Sequence, residues 1–142
     1  MSISKFNAEG YYDPTAYEAL TRIEQESKKK PFMPLVYICS PYSGDKEENL
    51  KRARRHCRFA LDSGCIPIAM HLHLPQFMND SIPEERDLAL FINLVIMSKC
   101  REVWVFGDHI SDGMAIEIAK AKKHNQPIKY FGLNYEEDSE YA

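Results

Sequence analysis

Apolar residues in this chain fall into short continuous runs, separated by longer stretches in which they recur every three or four positions. Continuous runs mark strands buried on both faces, and the longer spacing marks amphipathic helices. The runs are Leu35-Val36-Tyr37-Ile38-Cys39, Cys65-Ile66-Pro67-Ile68-Ala69, Glu102-Val103-Trp104-Val105-Phe106 and Gln126-Pro127-Ile128-Lys129-Tyr130-Phe131. Pro127 points to a sheet edge or a strand start, because it has no N–H to give to a ladder. Helices are predicted over residues 47–63, where Gly64 closes the turn, over 84–98 and over 112–124. Ser40-Pro41-Tyr42-Ser43-Gly44-Asp45 reads as a turn, and residues 71–83 as a longer irregular connection. Ahead of these, Asp13 caps and Pro14 opens a helix reaching about residue 30, with a narrow stripe of Ala16, Leu20 and Ile23. Lys28-Lys29-Lys30-Pro31 ends it with positive charge where the helix dipole favours cations.

Strand–helix alternation of this kind implies a parallel sheet with right-handed crossovers and helices on both faces. The expected fold is α/β, a small flavodoxin-like three-layer sandwich with about four strands, plus an N-terminal helical arm. The expected boundaries are an arm over residues 1–31, an α/β domain over 32–134 and an acidic, frayed tail over 135–142. The arm, which carries no catalytic signature, is expected to pack on the domain or on a second subunit. A length of 142 residues, with 44% hydrophobic and 27% charged residues, is ordinary for a globular domain. The net charge of −3 argues against a nucleic-acid polymer as partner. No apolar run approaches the roughly 18 residues of a membrane span, and Met1-Ser2-Ile3-Ser4-Lys5 lacks an apolar leader segment. Cys39, Cys57, Cys65 and Cys100 show no Cys-x-x-Cys spacing, which suggests neither a zinc knuckle nor a disulfide framework. Cys39 and Cys65 are expected as buried thiols, and the expected compartment is a reducing cytoplasm.

Candidate chemistry gathers in the loops that follow the strands, since ligands of an open parallel sheet bind at the carboxyl ends of its strands. Ser111-Asp112-Gly113-Met114-Ala115-Ile116-Glu117 follows the third strand directly. It reads as a loop with a helix cap and then a carboxylate, Glu117, placed near a helix N-terminus that favours its ionised form. An ionised, positioned Glu is what nucleophilic attack at a sugar carbon needs. The plainer reading is that Ser111 and Asp112 are caps and Glu117 a dipole partner. Ser40, Tyr42, Ser43 and Gly44 form either a phosphate or ribose cradle at a helix start or an ordinary turn. His71 and His73 stand at alternate positions with no carboxylate or Cys nearby in sequence, which favours a base-contacting or structural role over metal binding. Asp87 opens the helix beginning Pro83-Glu84-Glu85-Arg86-Asp87. It is either a solubilising first-turn charge or an inward-pointing acid of raised pKa, opposite an ionised Glu. The basic run Lys51-Arg52-Ala53-Arg54-Arg55-His56-Cys57-Arg58 covers more than one helix face and reads as solvated surface.

The strand Val36-Tyr37-Ile38-Cys39 with its Ser-rich loop, and Ser111-x-Gly113 ending in Glu117, resemble the nucleoside 2-deoxyribosyltransferase superfamily, which includes the 2'-deoxynucleoside 5'-monophosphate N-hydrolases. The resemblance covers roughly residues 35–131. It comes closest to a bacterial and phage branch of uncharacterised function, through Ser40-Pro41-Tyr42, Ile66-Pro67-Ile68-Ala69 and Val103-Trp104-Val105-Phe106-Gly107. It implies that Glu117 is the nucleophile, Tyr37 a catalytic Tyr on the first strand and Asp87 the acidic partner of the glycosyl site. It also implies that Ser111 and Gly113, with Asp112 and Met114 between and beside them, belong to a loop that holds a 5'-phosphate in the monophosphate hydrolases. A homodimer or higher oligomer is implied as well, with the Tyr-rich lead-in (Tyr11, Tyr12 and Tyr17) as a candidate interface anchor.

Two departures bear on the substrate. The monophosphate hydrolases place an Arg after the first strand, whereas this chain has Tyr42 and no Arg between Ser40 and Lys46. Asp112 adds a negative charge to the phosphate loop, which repels a phosphate if it points inward. Both favour a nucleoside, or a ligand whose phosphates lie elsewhere. The expected reaction is N-glycosidic cleavage or 2-deoxyribosyl transfer through Glu117, with Asp87 or Tyr37 giving a proton to the departing base and no metal or organic cofactor taking part. The rival readings are a non-catalytic protein that sequesters a nucleotide-derived signal and, from the fold alone, a flavin carrier.

Overall fold

In the computed structural model, which describes residues 14–138, each apolar run read as a strand is one. The chain divides by compactness between Phe32 and Met33. The first unit contains α1 (Pro14–Lys29), with Lys28 and Lys29 in its last turn. The expected Asp13 cap, Tyr11 and Tyr12 lie outside the described residues.

The second unit runs β1 (Leu35–Cys39), α2 (Lys46–Asp62), β2 (Ile66–Ile68), α3 (Pro83–Ser98), β3 (Glu102–Phe106), α4 (Asp112–Lys123) and β4 (Ile128–Phe131). All pairings are parallel, in the order β2-β1-β3-β4, with Tyr37 opposite Ile68 and Val103, and Val105 opposite Tyr130. The chain first moves to one side of β1 through α2, then crosses back to β3 and β4 through α3 and α4. Connections of one hand must then place α2 on one face and α3 with α4 on the other. The two cores follow that division. Val36, Ile38, Trp104, Phe106 and Phe131 pack with Phe59 and Ala60 of α2. Tyr37, Cys39, Val103, Val105 and Tyr130 pack with Met97 of α3 and with Met114, Ile118 and Ala121 of α4. The fold is the three-layer flavodoxin-like α/β sandwich expected from the alternation.

Several details differ from the sequence expectation, for local reasons. β2 keeps three residues rather than five; it is an edge strand, where Pro67 is tolerated. β4 starts at Ile128 because the Gln126 N–H is engaged by the Ala121 carbonyl of α4 at 2.9 Å, while its Nε2 donates to the carbonyls of Met97 at 2.8 Å and Cys100 at 2.9 Å at the end of α3. The irregular connection contains two 3-10 turns, Met70–Leu72 and Leu74–Gln76, pinned by buried Met70 and Leu74. The start of the tail is not frayed, since Glu137 bridges to Phe131 and the Asp138 N–H donates to the Tyr130 carbonyl at 2.7 Å. The Lys and Arg side chains of the basic run of α2 are exposed, with Arg52 and Arg55 on Glu48 and Arg58 on Asp62, whereas Ala53 is buried and His56 and Cys57 partly so. All four cysteines are free, and Cys39, Cys65 and Cys100 are buried. Among the described residues, no helix is long and apolar enough to cross a membrane.

Candidate active site

β1 and β3 are neighbours, yet the chain leaves them toward opposite faces, through α2 and α4. That makes their carboxyl ends a topological switch point, the place where an open α/β sheet leaves a crevice. A cavity of about 460 Å³ opens here, within the range of small-molecule sites. Its walls come from the loop after β1 (Ser40, Tyr42, Ser43), the 3-10 segment (Met70, His71, Leu74), α3 (Asp87, Ala89, Leu90, Asn93) and the start of α4 (Ser111, Asp112, Gly113, Met114, Glu117).

Glu117 is held from below by β1. Tyr37 and Cys39 alternate on the strand and so face the same side. The Tyr37 hydroxyl donates to Glu117 Oε2, and the Cys39 thiol donates to Oε1 at 3.8 Å. Glu117 shares the inward face of α4 with Met114, Ile118 and Ala121 and is 3% exposed. Burial raises its pKa from 4.5 to about 7, against the lowering pull of the Tyr37 and Cys39 hydrogen bonds. The expectation of a carboxylate held ionised by the helix start is therefore corrected. Glu117 lies beyond the first turn, where the dipole acts, and loss of water outweighs the donors around it. Burial and the nearby Glu117 also push the Tyr37 phenol and the Cys39 thiol well upward, which keeps both protonated as donors. Tyr37 does not line the cavity; it positions Glu117.

The loop after β1 is fixed by buried Asn49, whose Nδ2 donates to the carbonyls of Tyr42 at 3.0 Å and Ser43 at 2.9 Å. The Tyr42 ring stacks on His71, with centroids 4.9 Å apart and planes 20° from parallel. Burial lowers the His71 pKa despite a hydrogen bond with the Ser40 backbone, so the imidazole facing the cavity is neutral at pH 7. Ser40 is buried, and its Oγ has no hydrogen-bond partner among the described residues. Gly44 is not part of the cavity wall; its φ of +95° marks it as the residue that lets the loop turn.

On the α4 side, Ser111 is the helix cap, accepting from Met114 N–H at 3.3 Å. Asp112 and Gly113 are exposed at the cavity mouth, and Met114 is buried beneath them. Asp87 lines the same mouth and is exposed, which fits the solubilising-charge reading and not the alternative of an inward-pointing acid that loses its water. His73 packs edge-on against Phe77 rather than joining His71. Among the described residues, no group of three His, Cys, Asp or Glu side chains could hold a metal ion.

One lining residue escaped the sequence reading. Asn93 is buried on α3, and its Oδ1 has no partner among the described residues. Its signal was available, because it is the single polar residue in the run Leu88-Ala89-Leu90-Phe91-Ile92-Asn93-Leu94-Val95-Ile96-Met97. A polar side chain there must either find a buried partner or face a cavity.

Fold and crevice together define an open α/β protein with a site of small-molecule size at its topological switch point. The solved structure of a 2-deoxyribosyltransferase from the psychrotolerant bacterium Bacillus psychrosaccharolyticus, described as a biocatalyst for the synthesis of antiviral and antitumoral nucleosides, matches with a TM-score of 0.58. It is 19% identical and covers 69% of this chain and 72% of that one, a likeness of fold. No curated protein matches the chain. Residues 34–131 match the family described as Domain of unknown function (DUF7768), and the chain belongs to that family.

Proposed function

We propose that the crevice binds a nucleoside and that Glu117 cleaves its N-glycosidic bond. The observation that carries this reading is a buried carboxyl at the cavity wall, held at both oxygens by donors from β1. In the ionised form, a Glu117 oxygen attacks the anomeric carbon. The carbon–oxygen bond forms as the carbon–nitrogen bond breaks, and the bonding pair leaves on the base nitrogen, which takes up a proton. That proton comes from solvent at the mouth, and we assign its delivery to Asp87, which lines the same cavity. Water then releases the free sugar, or a second base takes it in a transfer. The fold shared with a 2-deoxyribosyltransferase supports a 2-deoxyribosyl group as the sugar.

The charge of the wall supports a nucleoside over a nucleotide. Asp80, Glu85, Asp87, Asp112 and Glu117 line the cavity against a single Arg86, and Lys46 nearby is already paired with Asp80 at 3.0 Å. Such a mouth repels a phosphate. The second reading, a binder that sequesters its ligand without turnover, draws support from the raised pKa of Glu117, which leaves much of it protonated and non-nucleophilic at neutral pH.

Glu117→Gln tests the first reading, since it keeps shape but removes the attacking charge. Turnover of labelled 2'-deoxynucleosides should fall at least about a hundredfold, or about 3 kcal/mol of barrier, while calorimetry still detects binding. Wild-type turnover in the variant overturns the assignment, and binding without any turnover in the wild type selects the sequestering protein instead.

We infer further that the chain assembles as a homo-oligomer. Leu88, Phe91 and Val95 recur along one side of α3 with their side chains exposed, as does Ile116 on α4. Light scattering should give a mass at least twice the 16.5 kDa of the chain, and a clean monomer at micromolar concentration excludes it.

A further inference from the structure

We propose that the cavity selects nucleosides whose base is a cation, a pyridinium or imidazolium ring, and that the charge of the bound ring brings Glu117 into its ionised, attacking form. This rests on the nucleoside reading above and adds to it the charge of the base. The wall carries the carboxyls of Asp80, Glu85, Asp87, Asp112 and Glu117 against Arg86 and the Lys46 that pairs with Asp80. The excess is negative whether or not Glu117 holds its proton. A field of that kind acts over several ångströms, so it selects by charge without any one carboxylate being aimed at the ligand. His71 does not offset it, since burial keeps its imidazole neutral.

A second observation shows that this wall takes an organic cation. The Lys46 ammonium lies 3.0 Å from Asp80 Oδ1 and 5.4 Å from the centroid of the Tyr42 ring. Asp80 and Tyr42 both line the cavity, and Tyr42 stacks on His71, which lines it too. Carboxylates and aromatic rings are the groups that hold organic cations, and a cationic base in the cavity has neighbours of both kinds.

The chemistry agrees. A neutral base takes up a proton as it leaves, and that proton has to come from the mouth. A cationic base needs none. The carbon–oxygen bond to Glu117 forms, the carbon–nitrogen bond breaks, and its electron pair neutralises the ring, so that carboxylate and cation become an ester and a neutral base. The same charge acts on the nucleophile. Burial alone leaves Glu117 about half protonated at pH 7, and a cation beside it favours the ionised form. Around Glu117 stand Tyr37 and Cys39 on β1, which stay protonated, and His71, which stays neutral. Asp80, Glu85, Arg86, Asp87 and Asp112 complete the wall as charged groups. The proton released on binding is therefore that of Glu117.

Calorimetry with the full chain tests this without reliance on turnover, by comparing nicotinamide 2'-deoxyriboside, a pyridinium cation, with its neutral 1,4-dihydro form and with 2'-deoxyadenosine. At low salt the cation should bind at least about tenfold tighter than either neutral ligand, and high salt should shrink that ratio. Asp112→Asn, which removes one exposed charge, should weaken the cation severalfold and leave the neutral ligands unchanged. In buffers of different ionisation enthalpy at pH 7, the cation should release up to about half a proton from the wild type and none from Glu117→Gln. The neutral ligands should release none from either. A wild type that binds the cation no tighter than the dihydro form overturns the assignment. So does a preference that high salt leaves intact, or a proton release that is the same in Glu117→Gln. Those results leave the nucleoside reading standing as long as 2'-deoxyadenosine binds, whereas a wild type that binds none of the three ligands overturns both.

Discussion

The two faces of the sheet are made by the same strands and buried to the same depth, yet they treat polar groups in opposite ways. On the α2 face, Val36, Ile38, Trp104, Phe106 and Phe131 meet a packed aromatic layer. His56 stacks on Phe106 with centroids 4.2 Å apart, and Phe59 stacks on Tyr135 at 4.5 Å. The imidazole in that layer is kept neutral. Burial, with Arg55 and Arg52 nearby, lowers the His56 pKa to about 4, and its Nδ1 pairs with the Tyr135 hydroxyl at 2.9 Å. On the α3–α4 face the alternate residues of the same strand, Tyr37 and Cys39, grip the Glu117 carboxyl beside an open cavity. There burial brings a carboxyl to about 7, where it exchanges its proton at neutral pH. Loss of water acts on both faces, and the cavity decides whether it silences a titratable group or sets it for chemistry.

The largest effect should come from breaking the packed face. Phe106→Ala removes a fully buried ring from contact with Phe131, Trp104 and His56. It should lower unfolding free energy by about 3–5 kcal/mol in denaturant titrations. The pH dependence of cleavage should be unchanged in the folded fraction, since Glu117 lies on the other side of the sheet; a moved profile would show the faces to be coupled.

The next effect separates the faces by the sign of their pH dependence. Glu117 binds its proton more tightly when folded than when unfolded, so its contribution is full below pH 4.5 and is lost as pH rises through about 7. The shift corresponds to about 3 kcal/mol. His56 works the other way: its folded pKa is depressed from 6.5 to about 4, so its contribution is present above pH 6.5 and lost as pH falls through about 4. In the wild type the two oppose each other in the overlap. In Glu117→Gln, stability measured across pH 4 to 8 should keep only the His56 trend and rise with pH, and the variant should be the more stable protein at pH 8. A variant that loses stability at pH 8 by as much as at pH 4 contradicts the burial account of Glu117.

The smallest effect concerns the mouth of the cavity. Asp112→Asn removes one exposed charge and leaves the Ser111 cap in place. Binding of nucleoside 5'-monophosphates should improve severalfold at low salt and lose that gain at high salt, with neutral nucleosides unaffected. No response from either ligand would place Asp112 outside the reach of the phosphate. Tight phosphate-dependent binding by the wild type would favour a nucleotide over a nucleoside.

Much of this was legible in the pattern of residues, because strands and helices are set by periods that neighbouring residues carry. The four apolar runs, the turn at Gly44 and the cap at Ser111 are local, and each could be read in place. The strand–loop–helix pattern likewise drew attention to Glu117, since any carboxylate so placed falls near the crevice of a parallel sheet. The two readings of Asp87 stayed open because its position on α3 was known but not the rotation of that helix about its axis. Asn93, six residues on and turned about 120° around the helix, is buried, whereas Asp87 is exposed. The docked Tyr135 segment was missed for a related reason, its partners Phe59 and His56 being more than seventy residues away.

The sequence by itself determined the order of elements, the parallel sheet, the two-sided strands and the loop that presents Glu117, all consequences of local periodicity and turn chemistry. Only the tertiary structure decided that Tyr37 and Cys39 would bond Glu117 across 80 and 78 residues of chain, and that water would be excluded around it. It alone left Ser40 and Asn93 unpaired in one cavity. Proton affinity and hydrogen-bond satisfaction depend on what lies within a few ångströms, and those neighbours are chosen by packing between distant segments rather than by order along the chain.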